Sequence, residues 1–405
     1  MRRRHWILAS QIALAGLIGA SLSGAALAQK KYDPGANDKE IKIGGISPYS
    51  GPASAYGAIG KAIGAYIDKV NAEGGVNGRK IKWVSLDDGY NPAKTVEQAR
   101  KLVEEEEVLL LFNTLGTPPN SAIHKYMNQK KVPQLFVATG ATKWGDPKNF
   151  PWTIGWQPNY QSESKVFAAH ILETKPNAKI AVIYQNDDYG KDYLKGFEDG
   201  LGDKAKSMII SKLTYEVTDP TIDSQLVTMK NSGADVFFNI TTPKFAAQAI
   251  KKMAEIGWKP THYLNSVSAS VGAVLIPAGL DNSKDIITAG YLKDPTDPQW
   301  QKGKEYDDWL GWMKKYHPSA DLKDVNNVYG YTAAQGLVQV LKQAGDNLTR
   351  ENIMKQAASL DMTLPMLLPG VNVKTTPDDF FPIEREQLMK FDGKTWVLFG
   401  KVYGR

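Results

Sequence analysis

The sequence contains no cysteine. That absence excludes disulfides, a thiol nucleophile, thiolate metal ligands and lipid attachment through a cysteine. Histidine is nearly as scarce, with five in 405 residues. Beyond the leader, His124, His170, His262 and His317 each stand alone, with no spacing that suits a metal. Neither a GxGxxG phosphate loop nor a GxSxG nucleophile elbow occurs. There is no low-complexity linker, no short internal repeat and no dense basic patch, and past residue 28 no apolar run of membrane length. Most enzyme chemistries and a nucleic-acid role lose their usual carriers.

What is present begins with a leader. Arg2, Arg3 and Arg4 precede an apolar stretch over residues 6–22, and Ala26-Leu27-Ala28 has the small-x-small form of a cleavage site. Residues 1–28 are therefore expected to be a signal peptide cleaved after Ala28, delivering a soluble protein to the periplasm of a Gram-negative source. Without those three arginines the 49 basic residues fall to 46 against 43 acidic ones, a formal charge of +3. Lysines and acids alternate along the helices, as on a solvated surface. With 42% hydrophobic and 23% charged residues the chain is an ordinary globular one, and its length calls for two domains.

Strand and helix signals alternate throughout. Residues 41–57 read IKIGGISPYSGPASAYG, a short β-branched run followed by a loop of small residues, and residues 58–75 carry apolar positions at helical spacing. Further strands are expected at 81–87, 108–114, 134–137, 179–185, 208–213, 235–240, 261–265 and 285–289. Helices are expected at 95–105, 122–130, 162–174, 191–201, 221–231, 244–256, 298–316, 328–344 and 349–359. Strands 387–391 and 396–402, joined by Asp392-Gly393, close the chain as a hairpin. Such alternation predicts an α/β fold of doubly wound parallel sheets, with ligand-binding loops at the carboxyl ends of strands.

The segments IKIGGISPYSGPASAYG, GGVNGRKIKWVSLDDGYNPAK, NDDYGKDY and SGADVFF, in that order over nearly the whole chain past the leader, closely resemble the branched-chain amino-acid class of type I periplasmic substrate-binding proteins of ABC transporters. The resemblance implies two Rossmann-like lobes joined by a three-segment hinge, with crossovers near Trp156, Tyr291 and Thr376. The first lobe would hold residues 29–156 and 292–375, the second 157–291 and 376–405. It also implies a monomer without cofactor or metal that hands a small solute to permease and ATPase subunits at the inner membrane.

Matched to the family's motifs, Tyr56 stands at the aromatic wall of the first loop. Gly116 and Thr117 fall in the carboxylate-holding loop, with Gly116 where a serine is common. Ala141 and Thr142 match a second backbone and hydroxyl donor pair, and Tyr189 faces the cleft from the second lobe. The positions that would hold an α-ammonium are neutral: Asn159, Thr241 and Val267. An ammonium buried without a counter-charge is costly. The expected ligand is thus a small carboxylate-containing solute, an aromatic or aliphatic acid ahead of a branched-chain or other amino acid or an amide.

Other candidates have plainer readings. The pairs Asp87-Asp88 and Asp187-Asp188 are expected to be turn and cap residues rather than hydrolytic acids, and the run of residues 104–107 a solvated helix end rather than a metal site. Trp300, Tyr306, Trp309, Trp312 and Tyr316 follow helical spacing and read as a core face. Trp144, Trp152 and Trp156 cluster near the first crossover as candidates for the cleft. A hydrolase and a sensor ectodomain are the rival classes, each without a motif to carry it.

Overall fold

The computed structural model of the protein describes residues 30–404, so the leader and its cleavage after Ala28 lie outside the described residues. Two sheets organise the chain, one wholly parallel and one parallel with an antiparallel edge. In the first, five strands run side by side in the order Lys80–Asp87, Glu40–Ser47, Leu110–Phe112, Gln134–Val137 and Thr153–Gly155, all parallel. Leu110–Phe112 and Gln134–Val137 are buried along their whole length, as a sheet covered on both faces requires. The short Thr153–Gly155 strand carries no sequence signal of its own; it forms because the neighbouring strand offers it an edge.

The second sheet has seven strands. Ile209–Tyr215, Ile180–Gln185, Val236–Ile240, Thr261–Leu264 and Ile287–Gly290 are parallel neighbours. Glu386–Phe391 then pairs antiparallel with Ile287–Gly290, and Trp396–Tyr403 antiparallel with Glu386–Phe391. Between Gly290 and this hairpin the chain returns to the first sheet. Its helices Lys304–Tyr316 and Val325–Ala344 cover Gly57–Ala72, where Tyr66, Trp312 and Tyr331 meet with ring centroids 4.8–6.2 Å apart. Gly330 allows that approach: a Cβ there would lie 2.7 Å from Ala62 Cβ and 2.8 Å from the Ile59 carbonyl oxygen. The chain therefore passes between the two sheets after Gly155, after Gly290 and before Glu386.

Several helices begin elsewhere than their apolar periodicity predicts, and each has a local cause. The helix expected from residue 95 starts at Pro92, because Asn91 Oδ1 accepts from the Ala93 and Lys94 N–H groups at 2.9 and 3.2 Å; it ends in a π-helical turn over Lys101–Glu105. Thr117–Lys130 starts five residues before the expected 122, since Pro118 and Pro119 sit in its first turn, where a missing N–H breaks no bond. Conversely, the helix expected from 298 starts only at Lys304: Asp297 accepts the Gln299 N–H at 2.9 Å and holds the preceding residues in a turn. Trp309 and Trp312 on this helix are buried in the core.

Candidate ligand-binding site

Between the two sheets lies a cavity of about 90 Å³. It opens at the carboxyl ends of the strands, where parallel sheets leave their loops free to meet a ligand. Six tyrosines line it: Tyr56, Tyr90, Tyr160, Tyr189, Tyr291 and Tyr329. Burial holds the phenols of Tyr56, Tyr90, Tyr189 and Tyr291 well above their ordinary pKa, so each keeps its proton and can donate. Among the described residues that line it there is no lysine, arginine or histidine, and Asp294 is the one charged side chain.

The first sheet supplies one wall. Tyr56 lies at the end of the loop after Glu40–Ser47. Tyr90 follows Lys80–Asp87 with φ 62°, a left-handed turn set by Asp88, whose Oδ1 accepts the Tyr90 N–H and whose Oδ2 accepts the Thr95 hydroxyl. Gly116 has φ 98°, and a Cβ on it would fall 2.4 Å from Tyr90 Cε2, so both the backbone and the neighbouring ring demand glycine. Thr117 shares a 2.6 Å hydrogen bond with Thr139 through their hydroxyls. Because prolines lack an N–H, Thr117 is the one residue among 117–119 with a backbone donor at this helix start.

Tyr189 and Val267 reach the cavity from the second sheet. Asp187 caps the Tyr189 helix by accepting the Tyr189 and Gly190 N–H groups at 2.9 and 3.2 Å. The Tyr189 hydroxyl donates to Asn265 at 3.2 Å, and its ring stands edge-on to Tyr160 at 5.6 Å. Val267 sits in the turn Ser266–Ser268, which buried Glu163 anchors by accepting the Ser266 N–H at 2.8 Å and its hydroxyl at 2.6 Å. Burial pushes the Glu163 carboxyl up to about 7, and burial beside Glu163 raises Glu386 further still.

The structure thus places Tyr56, Gly116, Thr117, Tyr189 and Val267 around one cavity, and Ala141, Thr142, Asn159 and Thr241 outside its lining. Ala141 is packed in the core. The Thr142 N–H and hydroxyl both bind Asp192, at 2.9 and 3.0 Å. Asn159 caps the helix Tyr160–Thr174, and the Thr241 hydroxyl donates to Asn239 at 2.6 Å. Trp144 and Trp156 are core residues, with Trp156 packed on Phe136 at 4.7 Å. The Asp pairs serve turns and a helix cap. Sequence reasoning missed Tyr90, Tyr160, Tyr291, Tyr329 and Asp294. Tyr90 was findable, since it lies in the loop just after the expected strand 81–87. Tyr329 carried no signal, because it lies within a helix.

Among the described residues no group of three or more His, Asp or Glu is placed to hold a metal, and no helix is long and apolar enough to cross a membrane. The arrangement suits reversible capture of a compact, partly flat solute by neutral donors and aromatic walls.

Comparison with known proteins agrees with this geometry. Residues 40–395 match the family described as periplasmic binding protein. Over 287 residues the chain is 26% identical to Leu/Ile/Val-binding protein homolog 7 of Brucella suis, covering 69% of this chain and 68% of that protein. In fold it is similar to the fatty acid ABC transporter substrate-binding protein from Thermomonospora curvata (TM-score 0.78, 21% identity, covering 93% of this chain and 95% of that one). It is also similar to an ABC transporter solute-binding protein from R. palustris in complex with 4-hydroxybenzoate (TM-score 0.76, 18% identity, 90% and 97%). The family and fold are those of substrate-binding proteins rather than enzymes.

Proposed function

This chain belongs to the periplasmic binding protein family, and from that premise we propose that it is the periplasmic solute-binding component of an ABC importer of the branched-chain amino-acid type. It captures a small carboxylate-containing solute with a flat apolar body, an aromatic or aliphatic acid in preference to a simple aliphatic amino acid. A permease and an ATPase at the inner membrane receive the solute. The observation that carries the reading is the tyrosine-lined cavity between the two sheets, with Thr117 at a helix start on one side and Tyr189 on the other. The Thr117 N–H and hydroxyl and the protonated phenols other than Tyr189, whose proton is on Asn265, are the donors for the carboxylate. The aromatic rings are walls for the solute's body.

In this reading the lobes are residues 29–156 with 292–375 and 157–291 with 376–405, closing on the solute about the three passages between the sheets. Closure is what brings Thr117 and Tyr189 to the same molecule. Titration calorimetry with benzoate and cinnamate beside leucine, isoleucine and valine tests the ligand class. The acids are expected to bind tightest; submicromolar leucine binding with no response to the acids would restore an ordinary branched-chain amino-acid ligand. Scattering in the presence of a bound acid should give a smaller radius of gyration than without it.

A further inference from the structure

We infer that Asp294 selects the solute: the molecule captured presents, besides its carboxylate, an O–H or N–H donor that meets Asp294 Oδ2. The inference rests on the binding reading above and narrows its substrate class to hydroxy- or amino-bearing carboxylates. The chain leaves the strand Ile287–Gly290, and Tyr291 and Leu292 line the cavity. Lys293 turns away, its amine on the Pro365 carbonyl at 2.8 Å and above the Trp300 ring. Asp294 turns in and is 4% exposed.

The two oxygens of this carboxylate differ. Oδ1 accepts from the Thr296 N–H at 2.8 Å and the Thr296 hydroxyl at 2.5 Å. Among the described residues Oδ2 has no hydrogen bond and no ion pair. It is also not sealed in the interior as the unpartnered Glu386 Oε2 is. The acids nearest in charge are Asp297 and Asp324, which repel it, and no basic side chain lines the cavity. An ordinary turn role needs Oδ1 alone, and asparagine would fill it equally well. The second oxygen leaves a buried acceptor with nothing to accept, a state that is stabilised when a ligand brings a donor. A solute that is an acid and nothing more leaves Asp294 unpaired and adds a second negative charge beside it. The same argument revises the picture of a cleft without an acidic partner: Asn159, Thr241 and Val267 are neutral, but the crossover supplies a carboxylate from elsewhere.

Matched solute pairs test the assignment, each pair differing only in the donor: 4-hydroxybenzoate against benzoate, and 4-hydroxycinnamate against cinnamate, with 4-hydroxybenzamide as a donor-bearing solute that has no carboxylate. Calorimetry on the parent protein should give at least one donor-bearing member a tenfold or greater advantage over its partner. The variant Asp294→Asn then reverses the local chemistry. Its amide oxygen must stay on the Thr296 N–H, which can only donate, so the NH2 group faces the cavity. In D294N the donor-bearing solute should lose at least tenfold while its donor-free partner changes less than threefold, with the unliganded melting temperature close to that of the parent. Equal affinities within each pair on the parent protein overturn the inference and leave acid capture standing, whatever the variant does. Binding of donor-bearing amides or alcohols with no carboxylate bound overturns acid capture and keeps the role of Asp294. A panel in which nothing binds overturns both.

Discussion

The two walls of the cavity obey one topological rule and differ in charge. On the first sheet's side, Tyr56, Tyr90, Gly116 and Thr117 follow the carboxyl ends of strands and bring no charged group. Around the crossover that follows Ile287–Gly290, and on the second sheet's side, acids gather. Asp294 lines the cavity, and the hydroxyls of two further lining residues are already engaged by buried carboxylates: Ser266 on Glu163 at 2.6 Å and Ser270 on Asp324 at 2.8 Å. Neutral donors left free for an anion therefore concentrate on the first wall, and acceptors on the second. In the proposed reading this contrast sets a solute's carboxylate end toward Thr117 and its donor end toward Asp294.

Breaking the first wall should have the largest effect. Gly116→Ala places a Cβ against the Tyr90 ring and forces an unfavourable φ, for a loss of about 2–3 kcal/mol of stability measured by denaturant unfolding. Solute affinity should fall together with it, because Tyr90 must move. Loss of neither would show that the loop reshapes freely and that the wall is not rigid.

Neutralising an acid behind the second wall should act in the opposite direction. Glu163 and Glu386 have folded-state pKa values raised above those of the unfolded chain, Glu163 to about 7. Their contribution to stability is present below the unfolded value and is lost as pH rises through the folded one. Buried His124 and His262, depressed to about 4 and 3, oppose this by withdrawing stability below the usual histidine range. Glu386→Gln isolates the carboxyl part. It should raise stability at pH 8 by about 1–2 kcal/mol and have less effect near pH 5, a difference readable from melting curves at the two pH values. A variant no more stable at pH 8 would mean that Glu386 finds its compensation elsewhere.

The smallest expected effect sharpens the comparison within the first wall itself. Thr117→Val removes a lining hydroxyl and should weaken binding of the preferred acid about tenfold, or ~1.4 kcal/mol. Thr142→Val removes only the hydroxyl held by Asp192 and should leave affinity within about twofold, with a stability loss of ~1 kcal/mol. Comparable affinity losses in the two variants would place Thr142 at the ligand after all.

How much was legible follows the range of the interactions involved. The run IKIGGIS announces a buried strand because its apolar content is local, and Tyr56 and Thr117 were reached through the resemblance to the family's loop motifs, in loops that follow such strands. The alternation of helices and strands, and hence the doubly wound α/β class, is written in periodicity alone. Helix starts at Pro92 and Thr117 were less legible, since a cap or a proline in the first turn extends a helix past its apolar pattern. Thr142 shows the reverse: a hydroxyl that sequence position offers to a ligand is taken by Asp192, 50 residues away.

The sequence by itself determined the element types, the absence of thiol chemistry and the small-residue loops that flank the first strands, all consequences of local propensity and composition. Only the tertiary structure decided the rest of the cavity's lining. Tyr291, Asp294, Tyr329 and Met389 converge there because the chain passes three times between two sheets, and side chains so far apart in sequence meet by packing rather than by pattern. Asp294 illustrates the limit most plainly. As part of DPTD it reads as a turn, which it is through Oδ1; that the residue also lines the cavity depends on where the crossover is held against both sheets.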